Sequence, residues 1–447
     1  MSRSETRLIA HHAGTVLVGQ LAVMAYSVTD TIVAGRYAEN ALAALSVAAA
    51  IFISVFVALM GALQALLPVW AELHGAERRA DVGRSVRQSL YLCSATIVVG
   101  MSILLWPGPL LRWTEVPQAM RGDVEGYLTV LAFALPPALL FRLFSTLSQS
   151  LGKPQVVTVL QLGSLFVKVP LSIWFTFGGA GLPALGLVGC GFATLLVNWG
   201  LLACAVWLLR NESFYRECRI WQRMEPPDWH QIGQFLRLGV PAGLAVLVEV
   251  TSFTLLALFI ARLGTAASAA HQIASNLTAL FYMVPLSLAI STSARVSFWQ
   301  GAGDTVRARR ACRRGLELTL GCALFFGMAL LLLRHQLPAI YSDNPQVIAV
   351  AAVLLLPIAA FHLADATQVL CLFVLRCYRV TVAPLLIYCG LLWGVGLSGG
   401  YLLAYRGLGP WPAMQSPLAF WLMSALALWL TAGCLATVLW RTVKRAP

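Results

Sequence analysis

Residues 235–261 read FLRLGVPAGLAVLVEVTSFTLLALFIA. Past Arg237 the only charge is Glu249. At 1.5 Å per residue the run is long enough to cross a hydrocarbon core of about 30 Å. No water is available there to the backbone polar groups, so such a run is a helix. A carboxylate near its centre costs roughly 2.5–3.5 kcal/mol to insert. Two further acids interrupt comparable runs, Asp30 in SVTDT (27–31) and Asp365 in HLADATQ (362–368). Acids kept at that cost line a cavity and hold cations, protons or cationic solutes. An ion-coupled transporter is therefore the first expectation.

Outward from this segment the chain repeats the pattern. Of its 447 residues 59% are hydrophobic and 11% charged, against roughly 25% charged in a soluble domain. The class is an all-α polytopic membrane protein. Apolar runs bounded by charges, Pro and Gly predict twelve transmembrane helices, near 14–34, 41–70, 88–111, 124–150, 155–178, 184–209, 235–261, 266–295, 313–333, 347–375, 381–405 and 417–440. Proline inside several of them (Pro136-Pro137, Pro170, Pro241, Pro285, Pro357) predicts kinks. The polar stretch 210–234 divides an N-terminal lobe (1–209) from a C-terminal lobe (235–447), six helices each, and reads as a cytoplasmic connection and hinge.

A shift of 226 residues pairs Arg36 with Arg262, Gly75-Ala76 with Gly301-Ala302, Arg84 with Arg310 and Arg87 with Arg313. Six spans per half give both halves the same orientation, so the two lobes are pseudo-symmetric about an axis along the membrane normal.

The net charge of +13 is not a nucleic-acid signature. Of the 31 Lys and Arg, six fall on odd-numbered connections, Arg142 and Lys168 fall within spans, and the other 23 flank the N-terminus, the even connections and the C-terminus. That bias places both termini in the cytoplasm, with the basic runs against membrane lipid. Trp106, Trp113, Trp221, Trp229, Trp411 and Trp440 lie near span ends, as interface anchors do. The ten cysteines are scattered and read as small apolar residues.

Glu249 and Asp365 fall in the same half. Two close carboxylates repel, so one keeps a proton unless a cation joins them. Either Na⁺ or H⁺ suits such a pair. Asp30 has two readings: it binds a cation or the positive group of a substrate, or it pairs with Lys168 in the fifth span. His362, one turn before Asp365, perturbs that acid or shuttles protons. His271 reads as interfacial. No phosphate-binding Gly-Lys-Ser/Thr, His-Glu-x-x-His or G-x-S-x-G motif occurs, so neither ATP hydrolysis nor an enzyme activity is expected.

Several motifs together resemble the multidrug and toxic compound extrusion (MATE) family, its NorM-like branch most closely. They are Asp30-Thr31, Gly75-Ala76, Gly152-Lys153-Pro154, Gly186-x-x-Gly189-Cys190-Gly191, Glu249-Val250-Thr251, Ala269-Ala270-His271-Gln272 and Asp365-Ala366-x-Gln368. The resemblance runs from about Leu17 to the last span. It implies two six-helix lobes and export of cationic, often aromatic drugs in exchange for Na⁺ or H⁺. Glu249 and Asp365 match the cation-site acids of the C-terminal lobe, and Asp30 the acid of the first helix.

Three positions depart from the family. Thr15 stands where the first helix often carries Pro. Phe361 replaces a Tyr one turn before Asp365, leaving a ring face but no hydroxyl. Lys168 and Ser172 stand where relatives have Asn, and a fixed positive charge there disfavours a cation in the N-terminal lobe.

The expectation is a multidrug efflux antiporter of a bacterial inner membrane, conferring drug resistance. It has no cofactor. Na⁺ or H⁺ binds at Glu249 and Asp365, and Lys168, Phe361 and His362 act as modulators. Its partners are organic cation substrates and membrane lipid, not nucleic acid, and it is expected as a monomer. The alternative is a lipid-linked saccharide flippase, which would want more cations within the spans than this chain has.

Overall fold

The computed structural model describes residues 2–113, 118–179, 181–407, 409–410 and 412–445. Trp411 lies outside them, as do the side chains of Arg112 and Trp113. Among the described residues twelve helices are long and apolar enough to cross a membrane: α1 Glu5–Tyr37, α2 Asn40–Gly75, α3 Arg79–Leu105, α4 Met120–Ser150, α5 Pro154–Phe177, α6 Leu187–Asn211, α7 Trp229–Ala261, α8 Thr265–Gly301, α9 Thr305–Leu332, α10 Pro345–Cys377, α11 Val382–Tyr405 and α12 Pro417–Arg445. Among the described residues there is no strand beyond one isolated bridge, Gly179 to Leu182. The prolines of α4, α5, α7, α8 and α10 are carried inside continuous helices. In α11 the hydrogen bonding widens to the π pattern over Cys389–Ser398.

The chain packs as two compact units. One is Thr15–Gly243, here the N-unit. The other, the C-unit, is Leu244–Pro447 together with Met1–Gly14. The divisions thus fall inside α1 and α7. The reason at the first is local. Ile9 and Ala13 pack on Leu288 of α8. The Glu5 carboxylate accepts from Arg295 Nη2 at 2.7 Å and Nε at 3.2 Å, and from Trp299 Nε1 at 3.1 Å.

The repeat read from the sequence reappears in how helices end. Past Gly75-Ala76, Glu77 is left-handed (φ 59°), and Arg78 N donates to Leu73 O at 3.0 Å. Past Gly301-Ala302, Gly303 is left-handed (φ 74°), and Asp304 N donates to Trp299 O at 3.0 Å. α4 and α10 close the same way, through Gly152 (φ 73°) and Arg379 (φ 61°). A left-handed residue after the last turn satisfies the free carbonyls of a helix end.

Close packing in the N-unit explains one motif glycine. A Cβ on Gly189 would come within 2.5 Å of the Phe175 carbonyl carbon and 2.6 Å of the Thr176 nitrogen. Only glycine lets the start of α6 meet the end of α5.

The stretch 210–234, expected as a hinge, is docked on α3. Arg87 donates to Arg219 O and to Glu225 Oε1, both at 2.7 Å. Gln88 donates to Pro226 O at 3.0 Å and accepts from Asp228 N at 2.9 Å. Tyr91 donates to Glu225 O at 2.8 Å. Its polar backbone finds partners on α3, which is why a Pro-rich, charged segment holds one path.

Candidate cation site

Within the C-unit, α7 carries Glu249 and α10 carries Asp365, and their charges act on each other. Asp365 is buried, 3% exposed. Burial strips the Asp365 carboxylate of water, Glu249 is half-buried, and their like charges oppose joint ionisation. Gln368 Nε2 donates to Asp365 Oδ1 at 3.0 Å, and the same side chain acts electrostatically on Glu249. The amide oxygen is held from α11, where the Tyr388 hydroxyl donates to Gln368 Oε1. Tyr282 of α8 lies within electrostatic reach of both acids.

The nearest fixed cation is Arg376, on α10 and buried. Its guanidinium stacks 4.4 Å over the Phe373 ring, and its charge acts on Glu249, Tyr282 and Tyr388. Glu249 also opens on a pocket walled by Ser252, Phe253, Phe361, Leu392, Gly396 and Ser424. Phe361 meets Phe253 and Trp421 edge-on, at centroid distances of 6.0 and 5.7 Å. Among the described residues no three or more His, Cys, Asp and Glu cluster as a metal centre. The donor set is two carboxylates, an amide and phenols, which suits a proton or an alkali cation rather than a transition metal.

In the N-unit the Asp30 side chain is tied up. Lys168 Nζ lies 2.7 Å from Asp30 Oδ1 and 3.0 Å from Oδ2. It also donates to Thr194 Oγ1 at 2.6 Å and to Cys190 O at 3.1 Å. Ser172 adds a bond to Asp30 Oδ1 at 3.3 Å. The ammonium therefore directs its donors to a carboxylate, a hydroxyl and a carbonyl, the arrangement a buried ion pair needs. Of the two sequence readings of Asp30, the geometry is that of the pair.

His362 makes no hydrogen bond to Asp365 among the described residues. Its ring faces Phe281 at 6.0 Å, and both nitrogens are buried without a partner among the described residues. His271, expected at an interface, is buried against Trp421 at 5.7 Å. Phe281 packs on Phe326 at 5.3 Å as well as on His362. Tyr388 and Arg376 were not singled out from the sequence, and Gln368 was named only as part of a motif. The spacing of Gln368, three residues after Asp365 on a helix, carried a signal. Nothing local marked Tyr388.

The MatE family model matches residues 16–174 and 241–402. The chain belongs to the MatE family. It is a membrane transporter and not an enzyme. A probable multidrug resistance protein NorM of Aromatoleum aromaticum is 38% identical over 98% of this chain and 94% of its own length. A NorM of Chromobacterium violaceum is also 38% identical, over 97% of this chain and 93% of its own. The MatE fold matches the eukaryotic MATE transporter AtDTX14 with a TM-score of 0.88 at 18% identity, covering 99% of this chain and 98% of that one. It matches the Vibrio cholerae MATE transporter VcmN in the bent form at 0.84 and 16%, covering 99% and 98%.

Proposed function

We propose that this MatE chain is a multidrug efflux antiporter. It exports lipophilic organic cations and admits Na⁺ or H⁺ at Glu249 and Asp365. The observation that carries the reading is the pair of carboxylates within one unit whose charges act on each other, Asp365 held by Gln368 and neither acid in a salt bridge among the described residues. Arg376 acts on the site as a charge but makes no ion pair with either acid.

Occupation by a cation neutralises the acids, and the ion shifts the conformational equilibrium by its difference in affinity between the two states. Departure of the ion restores the negative charge that attracts an organic cation. The N-unit takes no part in the exchange, because Lys168 already occupies Asp30. On this reading the two units are the two lobes of alternating access, 210–234 is a cytoplasmic connection, both termini are cytoplasmic, and the protein works as a monomer in a bacterial inner membrane.

The test is ethidium transport in proteoliposomes with a Na⁺ gradient at fixed pH and, separately, a pH gradient without Na⁺. Uphill ethidium movement driven by one of the two supports the reading. Movement driven by neither rejects it. The flippase alternative gains little from a site where two acids face a single arginine.

A further inference from the structure

Gln368 is placed to report whether the cation site is filled. A primary amide has two different ends, a nitrogen with two donors and an oxygen with two lone pairs. Here the nitrogen end donates to Asp365, and the oxygen end is held by the Tyr388 hydroxyl. That polarity fits a site whose oxygens are free to accept. Bound Na⁺ seeks oxygen ligands and repels N–H groups. Bound Na⁺ therefore makes the observed amide orientation unfavourable, and a half-turn of the amide corrects it by presenting Oε1 to the site. The turn breaks the bond to Tyr388.

Tyr388 stands at a particular place. It is fully buried, it ends the α-helical first part of α11, and the π-helical segment Cys389–Ser398 begins at the next residue. π-Helical turns are rare and concentrate at functional sites, since one extra residue per turn is easily lost or shifted. Leu392 and Gly396 from that segment wall the pocket into which Glu249 opens. A chain of contacts therefore runs from Asp365 through one amide and one hydroxyl to the least regular part of the C-unit, and back to the wall beside Glu249.

We propose that the Gln368–Tyr388 pair is the sensor of bound Na⁺: filling the site with Na⁺ turns the Gln368 amide and frees the Tyr388 hydroxyl, which unlocks the π-helical segment of α11. The inference rests on Glu249 and Asp365 being the ion site. The groups facing it are Glu249 from α7, Tyr282 from α8, Asp365 and Arg376 from α10, and Tyr388 from α11. Tyr388 is a positioning residue that acts through Gln368, and Gln368 meets the ion with its own oxygen after turning.

The experiment is a Na⁺ titration of ethidium transport by full-length protein in proteoliposomes at fixed pH, and wild-type transport that ignores Na⁺ overturns the proposal. Tyr388→Phe removes only the hydroxyl that opposes the turn. It should lower the half-saturating ion concentration about three- to tenfold, the worth of one hydrogen bond, at unchanged maximal rate. Gln368→Leu should raise it about tenfold or more, and adding Tyr388→Phe to Gln368→Leu should change nothing further. Hydrogen exchange in the wild type should rise over Cys389–Ser398 when saturating ion is added, and not over α12. An unaltered half-saturation in Tyr388→Phe, or the same shift in the Gln368→Leu background, overturns the proposal. So does exchange over Cys389–Ser398 that ignores the ion. If Glu249→Gln and Asp365→Asn abolish ion dependence while Tyr388→Phe leaves it alone, the sensor fails and the ion site stands. If those two acid variants keep ion dependence, the site reading fails as well.

Discussion

Lys168 Nζ sits 2.7 Å from Asp30 Oδ1 inside the N-unit, and a hydroxyl and a carbonyl take its other donors. A charged group of the protein itself thus fills the position where an exchangeable cation would bind. The lysine side chain is 1% exposed and the aspartate 10%, so neither partner can turn to water if the other is removed.

Lys168→Met should therefore leave an unpaired buried carboxylate and cost about 3–5 kcal/mol. Adding Asp30→Asn should restore part of that loss, because the remaining group is neutral. Thermal midpoints in detergent and ethidium efflux check both steps. Losses that simply add would mean that the two residues do not form a functional pair.

Gly189→Ala forces a methyl group onto the backbone of Phe175 and Thr176. Neither atom belongs to a side chain that can move aside. A destabilisation of about 1–3 kcal/mol is expected, seen as a lower midpoint with normal ion dependence in the protein that remains folded.

Arg87→Ala removes two bonds from the docked segment, to Arg219 O and to Glu225. Loss of hydrogen bonds from a charged donor predicts about 2 kcal/mol. Trypsin should then cut at Arg216, Arg219 and Arg223 faster than in the wild type. An unchanged digestion pattern would show that other contacts hold the segment.

Phe361→Leu keeps an apolar side chain but removes the ring beside the Glu249 pocket. A cation resting on that ring face loses a modest attraction, which raises the half-saturating ion concentration about two- to tenfold. An equal titration curve would place the ion away from Phe361.

Much of this was legible in the residues. Twelve apolar runs need no tertiary information, because lipid leaves the backbone no alternative to a helix. The Asp30–Lys168 pair was legible for a related reason, since two opposite charges at depth reduce each other's insertion cost. Other features were hidden. The tether of the first turns of α1 to α8 depends on Glu5 meeting Arg295, 290 residues away in sequence. Composition cannot show that Arg87, Gln88 and Tyr91 offer the backbone of 210–234 a dock. The Gln368–Tyr388 bond joins helices whose apolar patterns carry no record of which tyrosine faces inward.

The most direct test of the central claim replaces both carboxyls at once. Proteoliposomes with Glu249→Gln/Asp365→Asn protein, matched to wild type for folded content, receive the Na⁺ or H⁺ gradient that drives wild-type ethidium transport. The account predicts that gradient-driven transport disappears, while downhill ethidium exchange persists at a reduced rate. Uphill transport at the wild-type rate would contradict it.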